Sequence, residues 1–139
     1  MLIGEYRYSV DVKGRLFIPA KLREEMGNEL ILSKSVDKCI NVYSRQQWES
    51  YCSKIKQLPE IKAREVKRFL FSTAQECEAD SQGRAAISAG LREYAGLVKD
   101  VVIIGVDDRL EIWDAAKYDA LNAGYNNAEL VGILTECGF

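Results

Sequence analysis

The chain has 139 residues, 47% of them hydrophobic, with 19 basic against 21 acidic side chains and no histidine. That length sets one domain, or two very small halves sharing one core, and the apolar fraction is that of a globular protein and not of a disordered one. The missing imidazole removes Ser-His and Cys-His catalysis, and the longest apolar run, VVIIGV, is far shorter than the roughly 20 residues of a membrane span.

In chain order, EYRYSV alternates and is rich in β-formers, so it reads as a strand. DVKGR follows as a turn: Asp11 is placed to accept from the backbone ahead of it, and Gly14 allows positive φ. LFI resumes the strand, which predicts a hairpin with Lys13 and Arg15 at its tip. Pro19 then starts a short helix, AKLREEM, that Gly27 ends. ELILS and CINVY form a second hairpin around VDK. Ser44 with Gln47 makes a capping box, and Trp48, Tyr51, Cys52, Ile55 and Leu58 give one apolar stripe. Pro59 breaks that helix, and another runs through Val66, Phe69 and Leu70. Lys54, Lys56, Lys62, Arg64, Lys67 and Arg68 read as the solvated face of this helical pair.

The pattern then starts again. DVKGRLFIPAKLRE, beginning at Asp11, has a near-copy in DSQGRAAISAGLRE, beginning at Asp80. Gly14 falls on Gly83, Arg15 on Arg84, Leu22-Arg23-Glu24 on Leu91-Arg92-Glu93 and Gly27 on Gly96. One residue later, Val36-Asp37 falls on Val106-Asp107 and Tyr43 on Trp113. The second copy therefore reads as QECEAD, SQGR, AAI, SAGLREYA, VVIIG and LEIW, with helix from Asp114 and again from Asn126 or Asn127. A period near seventy residues is too long for a solenoid unit. A module of about forty residues does not easily bury a core alone. Two of them packed face to face about a pseudo-two-fold axis would.

Chemistry is sparse. Cys39, Cys52, Cys77 and Cys137 are scattered with no C-x-x-C, which argues against zinc and against a disulfide framework. No P-loop, Rossmann glycine pattern or EF-hand loop is present, and Asp11 and Asp80 suit turn chemistry better than paired-carboxylate hydrolysis. The N-terminus MLIGEYRYSVD has no export-signal pattern, so the cytoplasm is expected. Charge is polarised: Glu5 to Arg23 holds five basic residues (Arg7, Lys13, Arg15, Lys21, Arg23) against two acidic, and Asp100 to the end holds two against eight. Such asymmetry marks an anion-binding face or a chance surface cluster. What the repeat presents twice is arginine, whose fork matches phosphate oxygens and guanine acceptors. Equally, Arg15 and Arg84 suit ion pairs with Asp11 and Asp80 inside their own turns. Spacing alone leaves both readings open.

With its two D-x-x-x-R phrases, Asp11 to Arg15 and Asp80 to Arg84, and the longer DVKGRLFIPAKLRE, the chain resembles the MraZ family over essentially its whole length. The resemblance implies an α+β, mainly β fold: a pseudo-two-fold duplicated AbrB-like swapped-hairpin β-barrel with flanking helices. Residues 1–47 and 74–117 would be the two SpoVT-AbrB-like modules, 48–73 the connecting helical hairpin and 118–139 a C-terminal helical tail. It implies a transcriptional regulator of the division and cell-wall gene cluster that binds short direct repeats in double-stranded promoter DNA and assembles into a ring-like homo-oligomer. Lys13, Arg15 and Arg84 are then the DNA-binding candidates, with Arg7 beside them, and Asp11, Gly14, Asp80 and Gly83 are the residues of the motif turns. No enzyme activity, cofactor, metal, membrane or small-molecule substrate is implied, and the place would be the cytoplasm, at the nucleoid. The competing reading is a non-enzymatic oligomeric protein-interaction or antitoxin-like module. The family pattern often has histidine where this chain has Tyr8. The second module has Ser88 for Pro19, Ala85-Ala86 for Leu16-Phe17 and Gln82 for Lys13, so the first tip is expected to be the stronger reader.

Overall fold

The structure is a computed structural model describing residues 1–139. Its elements run β1 (Leu2–Ser9), β2 (Arg15–Phe17), α1 (Ala20–Met26), β3 (Glu29–Lys34), β4 (Ile40–Ser44), α2 (Arg45–Lys56) and α3 (Glu60–Phe71), then β5 (Gln75–Glu78), β6 (Arg84–Ala86), α4 (Ala89–Ala95), β7 (Asp100–Asp107), β8 (Leu110–Asp114), α5 (Ala115–Ala123) and α6 (Asn127–Glu136). The fold is α+β and mainly sheet.

Six strands form one antiparallel sheet in the order β1-β7-β8-β4-β3-β5, and β2 pairs with β6 as a separate ribbon. Replacing each strand by its repeat equivalent turns that order into its own reverse. The pseudo-two-fold axis can be read in the register: Leu16 faces Ala85 in the ribbon, and Asn41 faces Glu111 at the centre of the sheet. Ile40 opposite Ile112 and Val42 opposite Leu110 flank that centre symmetrically.

The first hairpin expected within each module does not form. β1 pairs along its whole length with β7 of the other half, from Leu2 opposite Asp107 to Ser9 opposite Asp100, while β5 pairs with β3. Length explains the exchange. A local hairpin would offer the eight-residue β1 only the three-residue β2, whereas β7 matches every residue of it. The hairpins β3–β4 and β7–β8 form as expected. The ladder stays open, with β1 and β5 as its edges, so hydrogen bonding does not close the expected barrel.

Both faces of the sheet are covered, which is why VVIIGV is apolar without alternation. On one face Leu30, Leu32, Ile40, Val42, Val101, Ile103, Leu110 and Ile112 join Leu16, Ile18, Ala85 and Ile87 of the ribbon region and Leu22, Met26, Leu91 and Ala95 of α1 and α4. Both copies contribute to this core, so neither half encloses it alone. The opposite face carries Tyr43, which stacks on Tyr51 with ring centroids 5.3 Å apart and meets Trp48 at 5.6 Å. Ile55, Ala63 and Leu70 are the buried residues of α2 and α3, while Leu58 lies beyond the end of α2 and is exposed. Lys54, Lys56, Lys62, Arg64, Lys67 and Arg68 are all exposed.

Helix starts follow local chemistry. Ser44, Ser88, Asp114 and Asn126 each accept a backbone N–H of the following turn, at Gln47, Leu91, Lys117, and Ala128 with Glu129. No helix is long and apolar enough to cross a membrane. All four cysteines are free thiols, and burial pushes the Cys39 thiol up to about 12.

Candidate nucleic-acid interface

Asp11 builds the first tip almost alone. Its Oδ1 accepts the backbone N–H groups of Lys13 and Arg15, each at 2.9 Å, and its Oδ2 accepts Nε of Arg15 at 2.8 Å. Its own N–H donates to the Arg15 carbonyl at 2.9 Å, and its carbonyl accepts from Gly14 at 3.0 Å. Gly14 sits at φ 78°, a conformation that a side chain would disfavour.

The second tip repeats the pattern. Asp80 Oδ1 accepts from the N–H groups of Gln82 and Arg84 at 2.9 Å, and Oδ2 accepts Nε of Arg84 at 3.0 Å. Asp80 N–H donates to the Arg84 carbonyl, Gly83 N–H donates to the Asp80 carbonyl, and Gly83 sits at φ 79°. Ribbon pairing brings the tips side by side: Nη1 of Arg84 lies 3.9 Å from Oδ2 of Asp11.

The two readings of these arginines, internal ion pair and outward anion contact, turn out to be compatible. Each aspartate takes only the inner edge of its arginine through Nε. The terminal nitrogens make no hydrogen bond within the protein, and about a third of each side chain is exposed (30% for Arg15, 29% for Arg84). Both carboxyls are held below the usual aspartate range, first by the backbone N–H of the arginine and then by its side chain and the N–H of Lys13 or Gln82. They stay ionised at neutral pH and hold the arginines in place as positive, planar donors. Lys13 is exposed beside Arg15, while Gln82 puts a neutral group at the same place in the second tip.

Arg7 does not join this cluster. Its guanidinium grips Asp119 of α5 with two hydrogen bonds, 3.2 and 2.8 Å, and also bonds Glu5. Those acceptors raise its pKa, the Asp119 hydrogen bond most of all. Tyr8 packs edge-on against Phe17 at 5.2 Å.

Two arginines that tip-based reasoning passed over belong here. Arg23 of α1 reaches Gly83, and Arg92 of α4 reaches Gly14, each crossing to the other module's tip. The signal was in the sequence as the repeated Leu-Arg-Glu triplet, but only the exchange of strands makes its use visible. No cluster of ligating side chains suited to a metal ion is present.

The family model described as "MraZ protein, putative antitoxin-like" matches this chain twice, over residues 1–69 and 70–131. Curated relatives carry the name transcriptional regulator MraZ. The one from Alkaliphilus oremlandii is 47% identical over 142 residues, covering 99% of each chain. The one from Acetivibrio thermocellus is 46% identical over 128 residues, covering 91% of this chain and 90% of its own. A third, from Pelotomaculum thermopropionicum, is 52% identical over 115 residues, covering 81% and 79%.

Proposed function

The chain belongs to the MraZ family, and from that premise we propose that it is a transcriptional regulator that binds double-stranded promoter DNA through its paired tips. One observation carries the reading most: Arg15 and Arg84 stand side by side with Nε tied to an aspartate and no hydrogen bond within the protein at their terminal nitrogens. Such a guanidinium suits phosphate oxygens or the O6 and N7 acceptors of guanine. Lys13, Arg15 and Arg84 are the contacting residues. Asp11, Gly14, Asp80 and Gly83 shape the turns. Arg7, paired with Asp119 and half exposed, stands apart from them as a secondary contact.

The regulator acts in the cytoplasm at the nucleoid, on short direct repeats upstream of the division and cell-wall gene cluster. It has no catalytic role. Residues 1–47 and 74–117 act as the two modules, in the swapped-hairpin arrangement of the AbrB-like fold. Residues 48–73 form the helical hairpin between them and 118–139 the tail. One pair of tips makes few contacts, so a ring-like homo-oligomer gives each repeat a tip pair and gains by avidity. The apolar side chains of α6 left uncovered, Leu130, Val131, Ile133 and Leu134, support self-association. That same surface is what favours a second reading, a protein-binding antitoxin-like module.

Footprinting on DNA upstream of the chain's own gene, together with a salt series on promoter and scrambled duplexes, tests the proposal. Protection of spaced repeats with affinity falling steeply in salt is expected. Equal, weak retention of both duplexes at every salt concentration would favour the protein-binding reading.

A further inference from the structure

We propose that Arg23 and Arg92 are crossed positioning residues: each holds the tip of the other module, so that the two tips are set as a pair. The proposal rests on the DNA-binding reading for its consequence but on geometry for its substance. A methyl group placed on Gly14 would lie 2.8 Å from Cζ, 2.9 Å from Nε and 3.1 Å from Nη2 of Arg92. One placed on Gly83 would lie 2.8 Å from Nη2, 2.9 Å from Cζ and 3.0 Å from Nε of Arg23. Three near-equal distances mean that each guanidinium lies face-on against the glycine. The glycine therefore serves twice, by adopting positive φ and by leaving room for the opposite module's cation.

A hydrogen-bond relay fixes each cation there. Arg23 Nε donates to the Ile18 carbonyl at 2.8 Å, and the Ile18 N–H donates to the Gly83 carbonyl at 2.9 Å. In the other direction Arg92 Nε donates to Ile87 at 3.1 Å, and the Ile87 N–H donates to Gly14 at 2.9 Å. The residue that anchors the arginine is thus the residue that anchors the foreign tip. No other hydrogen bond holds either side chain. Lysine lacks an Nε–H and a planar face, so it cannot make both contacts.

The prediction is a crossed pattern that a merely structural role would not give. In the full-length protein without DNA, amide hydrogen exchange is read at Lys13, Gly14 and Arg15 and at Gln82, Gly83 and Arg84. Arg92→Ala should speed exchange at the first set on the order of tenfold, the scale of one lost charge-assisted hydrogen bond, and leave the second near the parent rate. Arg23→Ala should do the reverse. Arg92→Lys and Arg23→Lys should follow the same pattern, and they replace the alanine variants should either of those fail to fold. Loosening of the same-module tip, uniform loosening, or full protection in the lysine variants would overturn the proposal.

A second arm measures promoter affinity in a double-mutant cycle. Arg92→Ala should be non-additive with Arg15→Ala and additive with Arg84→Ala, and Arg23→Ala the opposite. Additivity in all four pairs would overturn the link to binding. If the parent protein binds no DNA, the regulator reading falls, while the exchange pattern still decides whether the crossed positioning holds.

Discussion

At the residue scale, each tip is a short turn whose shape depends on one carboxylate. Asp11 accepts three hydrogen bonds, two of them from backbone N–H groups, so its role is to hold the turn and aim Arg15. Asp11→Asn keeps an oxygen for the backbone donors and should retain most DNA binding, whereas Asp11→Ala should lose more. Equal loss in both variants, with both folded, would contradict the turn-holding role. The same carboxylate predicts a pH signature. Its pKa is lowered by folding, so its contribution is complete above the unfolded value of about 3.9 and is lost as pH falls through the lower folded value. Thermal midpoints of the parent and of Asp11→Asn should therefore differ most near neutral pH and converge below about pH 4. The tips also differ in charge, since Lys13 has the neutral Gln82 as its counterpart. Each lost phosphate contact lowers the salt slope by about one unit. Arg15→Ala should weaken promoter binding more than Arg84→Ala and also blur the preference for promoter over scrambled DNA, while Lys13→Ala should weaken both duplexes by similar factors. A larger effect of Arg84→Ala would make the second tip the principal reader.

At the element scale, the repeat made most of the fold legible and concealed one thing. Propensity and turn chemistry mark where each element starts and ends: Gly27, Ser44, Pro59 and Asp114 all bound helices in the structure. Partner choice is a different matter. A strand followed by an Asp-Gly turn and another apolar segment reads as a hairpin, because pairing with the neighbour costs least in loop entropy. Here the tandem copy is a competitor with longer strands, and β1 joins β7 instead. The crossed arginines were out of sight for the same reason, since each target glycine lies in the other copy, far away in sequence. The ribbon that results is short but centrally buried. Leu16 is 0% exposed and packs with residues of both copies, so Leu16→Ala should destabilise by about 2–5 kcal/mol. Val12, fully exposed on the adjacent turn, is the control, and Val12→Ala should stay within about 0.5 kcal/mol of the parent. Urea denaturation of the two variants checks both values. Similar small shifts in both would mean that the ribbon is not part of the cooperative core.

At the scale of the whole molecule, the duplicated core is closed but the C-terminus is not. Every residue from Leu121 to Phe139 is exposed. Yet α6 carries Leu130, Ile133 and Leu134, followed by Cys137 at its C-cap, at the spacing of one apolar helix face, the pattern of a helix that packs against something. No surface of the same chain covers that face, so a surface that covers it would belong to another molecule. If the face joins copies of the chain, replacing Leu130 and Leu134 together by serine removes assembly without removing any intramolecular core. The double variant should then keep a thermal midpoint near that of an unassembled parent subunit while its mass by light scattering falls to that of the monomer. Its DNA binding should separate by site number. A duplex with one repeat should bind about as before, and one with several repeats should lose the avidity that linkage provides, on the order of a hundredfold or more. An unchanged mass would remove α6 from the assembly surface. Equal losses on single-repeat and multiple-repeat DNA would show that the face acts on the tips and not on the number of subunits engaged.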